Sequence, residues 1–126
     1  MIVLARARQT VWATGGRIAA GDPGFVAMGD FLDDFYAAAR EERSALIAGE
    51  PPPGLDARWA AYLAATVEVL AARHDLTVPP WTQRPIYFLR EPWFLWEGAR
   101  MLALLDPPRP CARHGILADS RLLPRT

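Results

Sequence analysis

The stretch from Arg73 to Phe94 holds four prolines, two tryptophans, two phenylalanines and a tyrosine, and it cannot be a single helix. Pro79, Pro80, Pro85 and Pro92 each remove a backbone donor and push the preceding residue toward extended geometry. The rings beside them carry the largest apolar area per residue of any side chains. A segment this stiff and this apolar is either a buried strap across helices or a ready-made binding surface, and its residues alone leave both readings open.

The chain on either side of it reads as helix. Phe25, Met28, Leu32, Phe35, Ala39, Leu46 and Ile47 recur at three- and four-residue spacings, with Phe31 and Tyr36 widening the stripe, which predicts a helix over about 25–48. Gly21-Asp22-Pro23-Gly24 precedes it as a turn in which Asp22 can cap and Pro23 suits the first helical position. Gly49-Glu50-Pro51-Pro52-Pro53-Gly54 stops it, and the triple proline makes a stiff spacer. A second helix is predicted over about 55–73, with Leu55, Trp59, Tyr62, Leu63, Thr66, Val67 and Leu70 as its stripe and Ala60, Ala61, Ala64 and Ala65 allowing close contacts. Residues 2–20 read as a short helix interrupted by Gly15-Gly16, since each glycine costs a helix interior about 1 kcal/mol relative to alanine. After the proline–aromatic segment, a shorter helix is expected from Glu91 or Pro92 to Leu105, with Phe94, Leu95, Met101, Leu102 and Leu105 as core. A helical turn near Cys111–His114 and an extended Gly115–Ala118 follow.

The expected fold is therefore an all-α single domain. It has a short, loosely attached N-terminal helix over 1–20 and a helical core over 21–106, with an irregular arginine-rich tail over 107–126. The core is read as two long antiparallel helices crossed by a proline/aromatic strap and closed by a shorter C-terminal helix.

At 126 residues the chain suits one core, and 52% apolar with 22% charged residues is an ordinary globular balance. Fourteen basic residues offset fourteen acidic ones, so no net field draws the chain to nucleic acid or anionic lipid. All the bases are arginine, asparagine is absent and alanine is abundant, the pattern a GC-rich genome produces. Cys111 stands alone, which excludes an intramolecular disulfide and makes a reducing cytoplasm the default. The N-terminus lacks the order of a signal peptide, and no apolar run approaches the ~18 residues needed to span a bilayer. The expected location is the cytoplasm.

Three constellations could carry chemistry. Cys111 with His114 or His74 could form a nucleophile–base pair oriented by Asp75 or Asp119, or a partial zinc site. No catalytic signature surrounds the cysteine, and a buried thiol beside a solvent-facing His114 is the simpler reading. Asp30 and Asp34 lie one helical turn apart and could hold Mg²⁺, but acids in the N-terminal half of a helix serve its dipole. His74-Asp75 reads as a helix terminus, where a cation meets unpaired carbonyls. For nucleic acid, Arg6, Arg8 and Arg17 and the tail residues Arg109, Arg113, Arg121 and Arg125 are the candidate contacts. Residues 5–32 could form a helix–turn–helix, but its second helix would meet the Gly21–Gly24 turn too soon to fill a major groove. Phosphate-loop, dinucleotide, nucleophile-elbow and zinc-protease motifs are absent from the sequence. No catalytic, cofactor-binding or metal residue is assigned.

Several short motifs recur together: Gly21-Asp22-Pro23, Asp30 through Tyr36, His74-Asp75-Leu76 with Val78-Pro79-Pro80-Trp81, Glu91-Pro92-Trp93-Phe94, and Arg113 through Leu123. With these the chain resembles a group of small helical proteins of GC-rich bacteria, notably actinobacteria. In that group a similar module follows an Xre-type helix–turn–helix domain in antitoxin-like regulators. The resemblance covers roughly residues 17–124. With so little chain ahead of it, what the resemblance implies is the module alone, as the partner-binding part of a toxin–antitoxin-type pair.

The functional expectation is a non-enzymatic protein-interaction module. Trp81, Arg84, Tyr87, Arg90, Trp93 and Trp96 are the candidate partner-binding residues, because aromatics and arginine dominate interface energy. The partner is a protein, in the resemblance a cognate toxin. A nucleic-acid-associated regulator and a small enzyme centred on Cys111 and His114 are the alternatives.

Overall fold

The computed structural model describes residues 7–91, 93–94 and 109–117, and the account below concerns these. The fold is helical. Four helices come first: α1 (Val11–Ala19), α2 (Gly24–Ala37), α3 (Arg40–Ala48) and α4 (Ala57–Arg73). Two 3₁₀ turns follow at Pro80–Gln83 and Pro85–Tyr87, then β1 (Trp93–Phe94), the five-residue helix α5 (Arg109–Arg113) and β2 (Ile116–Leu117). The two strands pair in parallel, Trp93 opposite Ile116 and Phe94 opposite Leu117. No helix of the described residues is long and apolar enough to cross a membrane.

Helix α4 is the centre of the fold. Every residue from Ala60 to Ala71 is buried, including Glu68, so the helix has no solvent face over that span. A helix apolar all round is a core helix, and its alanines let neighbours approach from several sides. Helix α1, both 3₁₀ turns, α5 and β2 pack on it. Phe31 and Phe35 from α2, Ile47 from α3, and Leu63, Val67 and Leu70 from α4 are among the best-buried side chains. Asp56 caps α4 by accepting from the Arg58 N–H. At its far end His74 is the cap residue, Asp75 follows in the left-handed region at φ 55°, and the Leu76 N–H returns to the Ala71 carbonyl.

Three expectations are corrected. The helix predicted over 25–48 is two helices, because Ala38 and Ala39 are extended, with ψ of 153° and 163°. Alanine is the best helix former and signals no such break. Arg43 stabilises it by donating to the Phe35 and Tyr36 carbonyls, at 2.9 Å each, at the end of α2, where the Phe35 carbonyl also accepts from the Ala38 N–H at 3.2 Å. The glycine pair does not interrupt α1, which runs through Gly15 and Gly16 after a Thr10 cap. A β-carbon at Gly15 would lie 2.9 Å from Pro51 and from Pro52, so the missing side chain lets the helix meet the proline spacer. At the start of α2 the cap residue is Pro23 and not Asp22, whose carboxylate instead accepts from Arg17 Nε at 2.7 Å. The helix expected from residue 91 to 105 lies mostly outside the described residues, and its described part, Trp93–Phe94, is strand.

Candidate interaction surface

The proline–aromatic segment divides into buried rings and an exposed rim. In the first 3₁₀ turn Trp81 points inward, 8% exposed, and its indole donates to the Ile47 carbonyl at 3.0 Å. Trp81 meets Tyr87 edge-on at 5.3 Å between ring centres. Tyr87 is buried too, and its hydroxyl donates to Glu50 Oε2 at 2.5 Å. Burial, and then the Glu50 carboxylate, hold the phenol above its ordinary range, so it remains a hydrogen-bond donor. Arg84 Nη1 pairs with the same Glu50 oxygen. Side chains three apart in a 3₁₀ turn align. Arg84 and Tyr87 therefore converge on Glu50 while Ile86 is left outward, 59% exposed.

Between this turn and the proline spacer lies a half-open groove of about 430 Å³. Glu50 through Leu55, Ala57 and Ala60 line it together with Arg84, Ile86 and Tyr87. Two of the expected partner-binding residues, Arg84 and Tyr87, thus come together, Arg84 on the exposed rim and Tyr87 as buried support. Trp81 backs them from the core. Arg90 is exposed. Trp93 is half-buried, edge-on to Trp59 at 5.0 Å and covered by the Arg58 guanidinium at 5.3 Å. Trp96 lies outside the described residues. The sequence marks Glu50 and the proline spacer as a helix stop and not as part of a binding surface, Ile86 carries no mark at all, and the proximity of residue 50 to residue 87 has no sequence signal.

A second polar centre sits behind the segment. His114 is fully buried, which corrects the expectation of a solvent-facing ring. Its Nε2 lies 2.7 Å from Glu68 Oε1 and its Nδ1 lies 2.6 Å from the Tyr87 carbonyl. Phe88 stacks on the imidazole at 4.1 Å. Glu68 also accepts from Gln83 through Oε1 and from Arg113 Nη1 through Oε2 at 3.0 Å, while Arg113 Nη2 donates to Gln83 at 3.0 Å. Helix α4, the first 3₁₀ turn and α5 are thereby joined around one buried carboxylate. Gly115 completes the joint: its φ of +85° turns the chain, and a β-carbon there would lie 2.9 Å from Leu89 Cβ. Both ring nitrogens of His114 are engaged, so the arrangement braces structure and leaves no free edge for proton transfer to a substrate.

The other candidate constellations are engaged in the same way. His74 lies among Phe35, Tyr36 and Arg43, where burial and then the charges of Arg43 and Arg73 hold its pKa below the ordinary value. The carbonyls of His74 and Asp75 accept from Arg40, so Arg40 and not the imidazole meets the end of α4. Asp30 accepts from Arg17 Nη1 at 2.8 Å, and Asp34 accepts from the Gln9 backbone at 2.7 Å. These two acids tie α2 to α1 and the segment before it, and they do not serve the α2 dipole as expected. Among the described residues no group of three or more His, Cys, Asp or Glu side chains could hold a metal ion. The arginines are similarly occupied: Arg8 pairs with Glu42, Arg17 with Asp22 and Asp30, Arg58 with Asp56, and Arg113 with Glu68.

Comparison with known proteins finds no matching family model, no matching curated protein and no matching solved structure.

Proposed function

We propose that this chain is a non-enzymatic protein-interaction module that binds its partner through the rim of the proline–aromatic segment. The observation that supports it is Ile86: a large apolar side chain, 59% exposed, held outward at a groove between two stiff proline-bearing walls. Trp81 and Tyr87 anchor the turn from within, so the rim is preorganised and loses little freedom on binding. Arg84 and Arg90 flank it, and arginine beside apolar groups is the composition of interface hot spots. The motif resemblance supports the finer reading of an antitoxin-like component, working in the bacterial cytoplasm beside a cognate toxin. Against the nucleic-acid alternative, many of the described arginines are paired with acids of the same chain or with its carbonyls, and so present no unbroken basic stripe.

The test is co-expression with the product of the adjacent open reading frame. The wild-type chain is expected to retain it through affinity purification and gel filtration, and Ile86→Asp to lose it while melting at an unchanged temperature. A complex indifferent to Ile86→Asp refutes the rim, and the absence of any complex refutes the pair.

A further inference from the structure

We propose that the groove between the Pro51–Pro53 spacer and the Arg84–Tyr87 turn takes an extended, uncharged apolar peptide segment of the partner. The inference rests on the interaction-module reading and specifies what that partner presents.

Volume comes first. About 430 Å³ lies within the ~300–1,000 Å³ typical of binding pockets, and most of the lining is apolar. Pro51, Pro52 and Pro53 have no backbone N–H, so this wall cannot extend a β-ladder into the ligand. Contact there is side chain against side chain, and rigid proline rings have almost no rotamer freedom to lose.

Charge selects the class. Among the described lining residues the only ionised side chains, Glu50 and Arg84, are paired with each other, so these walls carry no net charge. An acidic segment reaching for Arg84 meets Glu50, and a basic one reaching for Glu50 meets Arg84. An uncharged segment meets neither penalty. The pair also presents hydrogen-bonding capacity of both signs. Arg84 and Tyr87 both donate to Glu50 Oε2, which leaves Oε1 as an acceptor at the rim. Arg84 reaches Glu50 through Nη1, and its side chain is 54% exposed, so the other guanidinium donors face outward. One acceptor beside several donors matches the N–H and C=O of a peptide unit. Ile86 and Leu55 supply the apolar contact for its side chains.

The experiment titrates the ¹⁵N-labelled full chain with three acetylated, amidated five-residue peptides. One contains only alanine, leucine and proline; the others carry a central lysine or a central glutamate. The uncharged peptide is expected to shift the amides of Leu55, Ala57, Ile86 and Tyr87 saturably and to bind Ile86→Asp at least tenfold more weakly, and both charged peptides are expected to bind the wild-type chain more weakly than the uncharged one. Absence of saturable shifts at these amides, or binding by a charged peptide as tight as by the uncharged one, overturns the inference. If that happens while the neighbouring gene product still co-purifies, the groove chemistry is wrong and the module reading stands. Peptide binding with no neighbouring gene product retained overturns the pairing with that product and leaves the groove chemistry standing.

Discussion

Replacing Glu68 by leucine should destabilise the fold, although it leaves the helix propensity of α4 intact and makes its buried surface more apolar. The carboxylate is 5% exposed and lies 2.7 Å from an imidazole that is itself fully buried. Gln83 is exposed and Arg113 is 54% exposed, so both can turn to water when the acceptor is lost. His114 cannot, and leaving a buried hydrogen-bonding group without its partner costs about 1–3 kcal/mol. Against a total stability of roughly 5–15 kcal/mol, that lowers the melting temperature by about 4–12 °C. His114→Leu should cost a similar amount, about 1–3 kcal/mol, since Glu68 keeps Gln83 and Arg113 while the Tyr87 carbonyl loses its donor. In the double variant Glu68→Leu/His114→Leu no imidazole is left facing a missing partner, so its cost should fall below the sum of the two single costs, to about 1–3 kcal/mol. Urea unfolding of the four proteins, at a constant dependence on denaturant, measures the coupling directly. A Glu68→Leu cost under about 1 kcal/mol, or single costs that add in the double within about 0.5 kcal/mol, would refute the bracing role.

Further outcomes follow from the glycines and from His74. Gly16 faces open space inside α1, so Gly16→Ala should stabilise by about 0.5–1 kcal/mol; a loss of stability in urea would contradict that reading. Gly24 opens α2 under the Trp59 ring, 2.2 Å from where a β-carbon would sit, so Gly24→Ala should destabilise by about 1–3 kcal/mol despite the same propensity gain. Equal effects at the two sites would show that Trp59 yields freely. The depressed pKa of His74 means that the fold favours its neutral ring, so its contribution is fully present above pH 6.5 and is lost as pH falls through the lower folded value. The urea midpoint of the wild type should therefore fall more than that of His74→Gln between about pH 7 and pH 5. Parallel pH profiles would count against the burial that sets the shift.

What the sequence conveys depends on whether the deciding interaction is local. Helix α4 was legible to within two residues, 55–73 expected against Ala57–Arg73 observed, since its apolar density and its ends at Asp56 and His74 are local features. The break at Ala38–Ala39 was not legible, because it is held by Arg43 and by burial of Ala38, and nothing in an alanine run announces it. The proline–aromatic segment could be read as non-helical, yet which rings turn inward depends on Ile47 and Glu50, more than thirty residues away. The burial of His114 depends in the same way on distant residues, Glu68 and Tyr87. One signal could have revealed it: Glu68 is the only charged residue between Trp59 and Ala72. A carboxylate in an otherwise apolar core helix requires a buried partner, and the two histidines and the tail arginines were the available candidates. Ile86 carried no signal in sequence, since its exposure follows from Arg84 and Tyr87 both turning to Glu50.

The central claim is that the rim around Ile86, and not the buried rings behind it, carries recognition. Titration calorimetry of the co-expressed neighbouring gene product against wild type, Ile86→Asp and Trp81→Phe tests it most directly. The account predicts that Ile86→Asp weakens binding at least tenfold, about 1.4 kcal/mol or more, with unchanged melting. Trp81→Phe, which loses the bond to the Ile47 carbonyl, should lower stability by about 1–2 kcal/mol and leave the affinity of the folded protein near wild type. Loss of affinity in Trp81→Phe with Ile86→Asp binding normally, or no binding by the wild type, would contradict it.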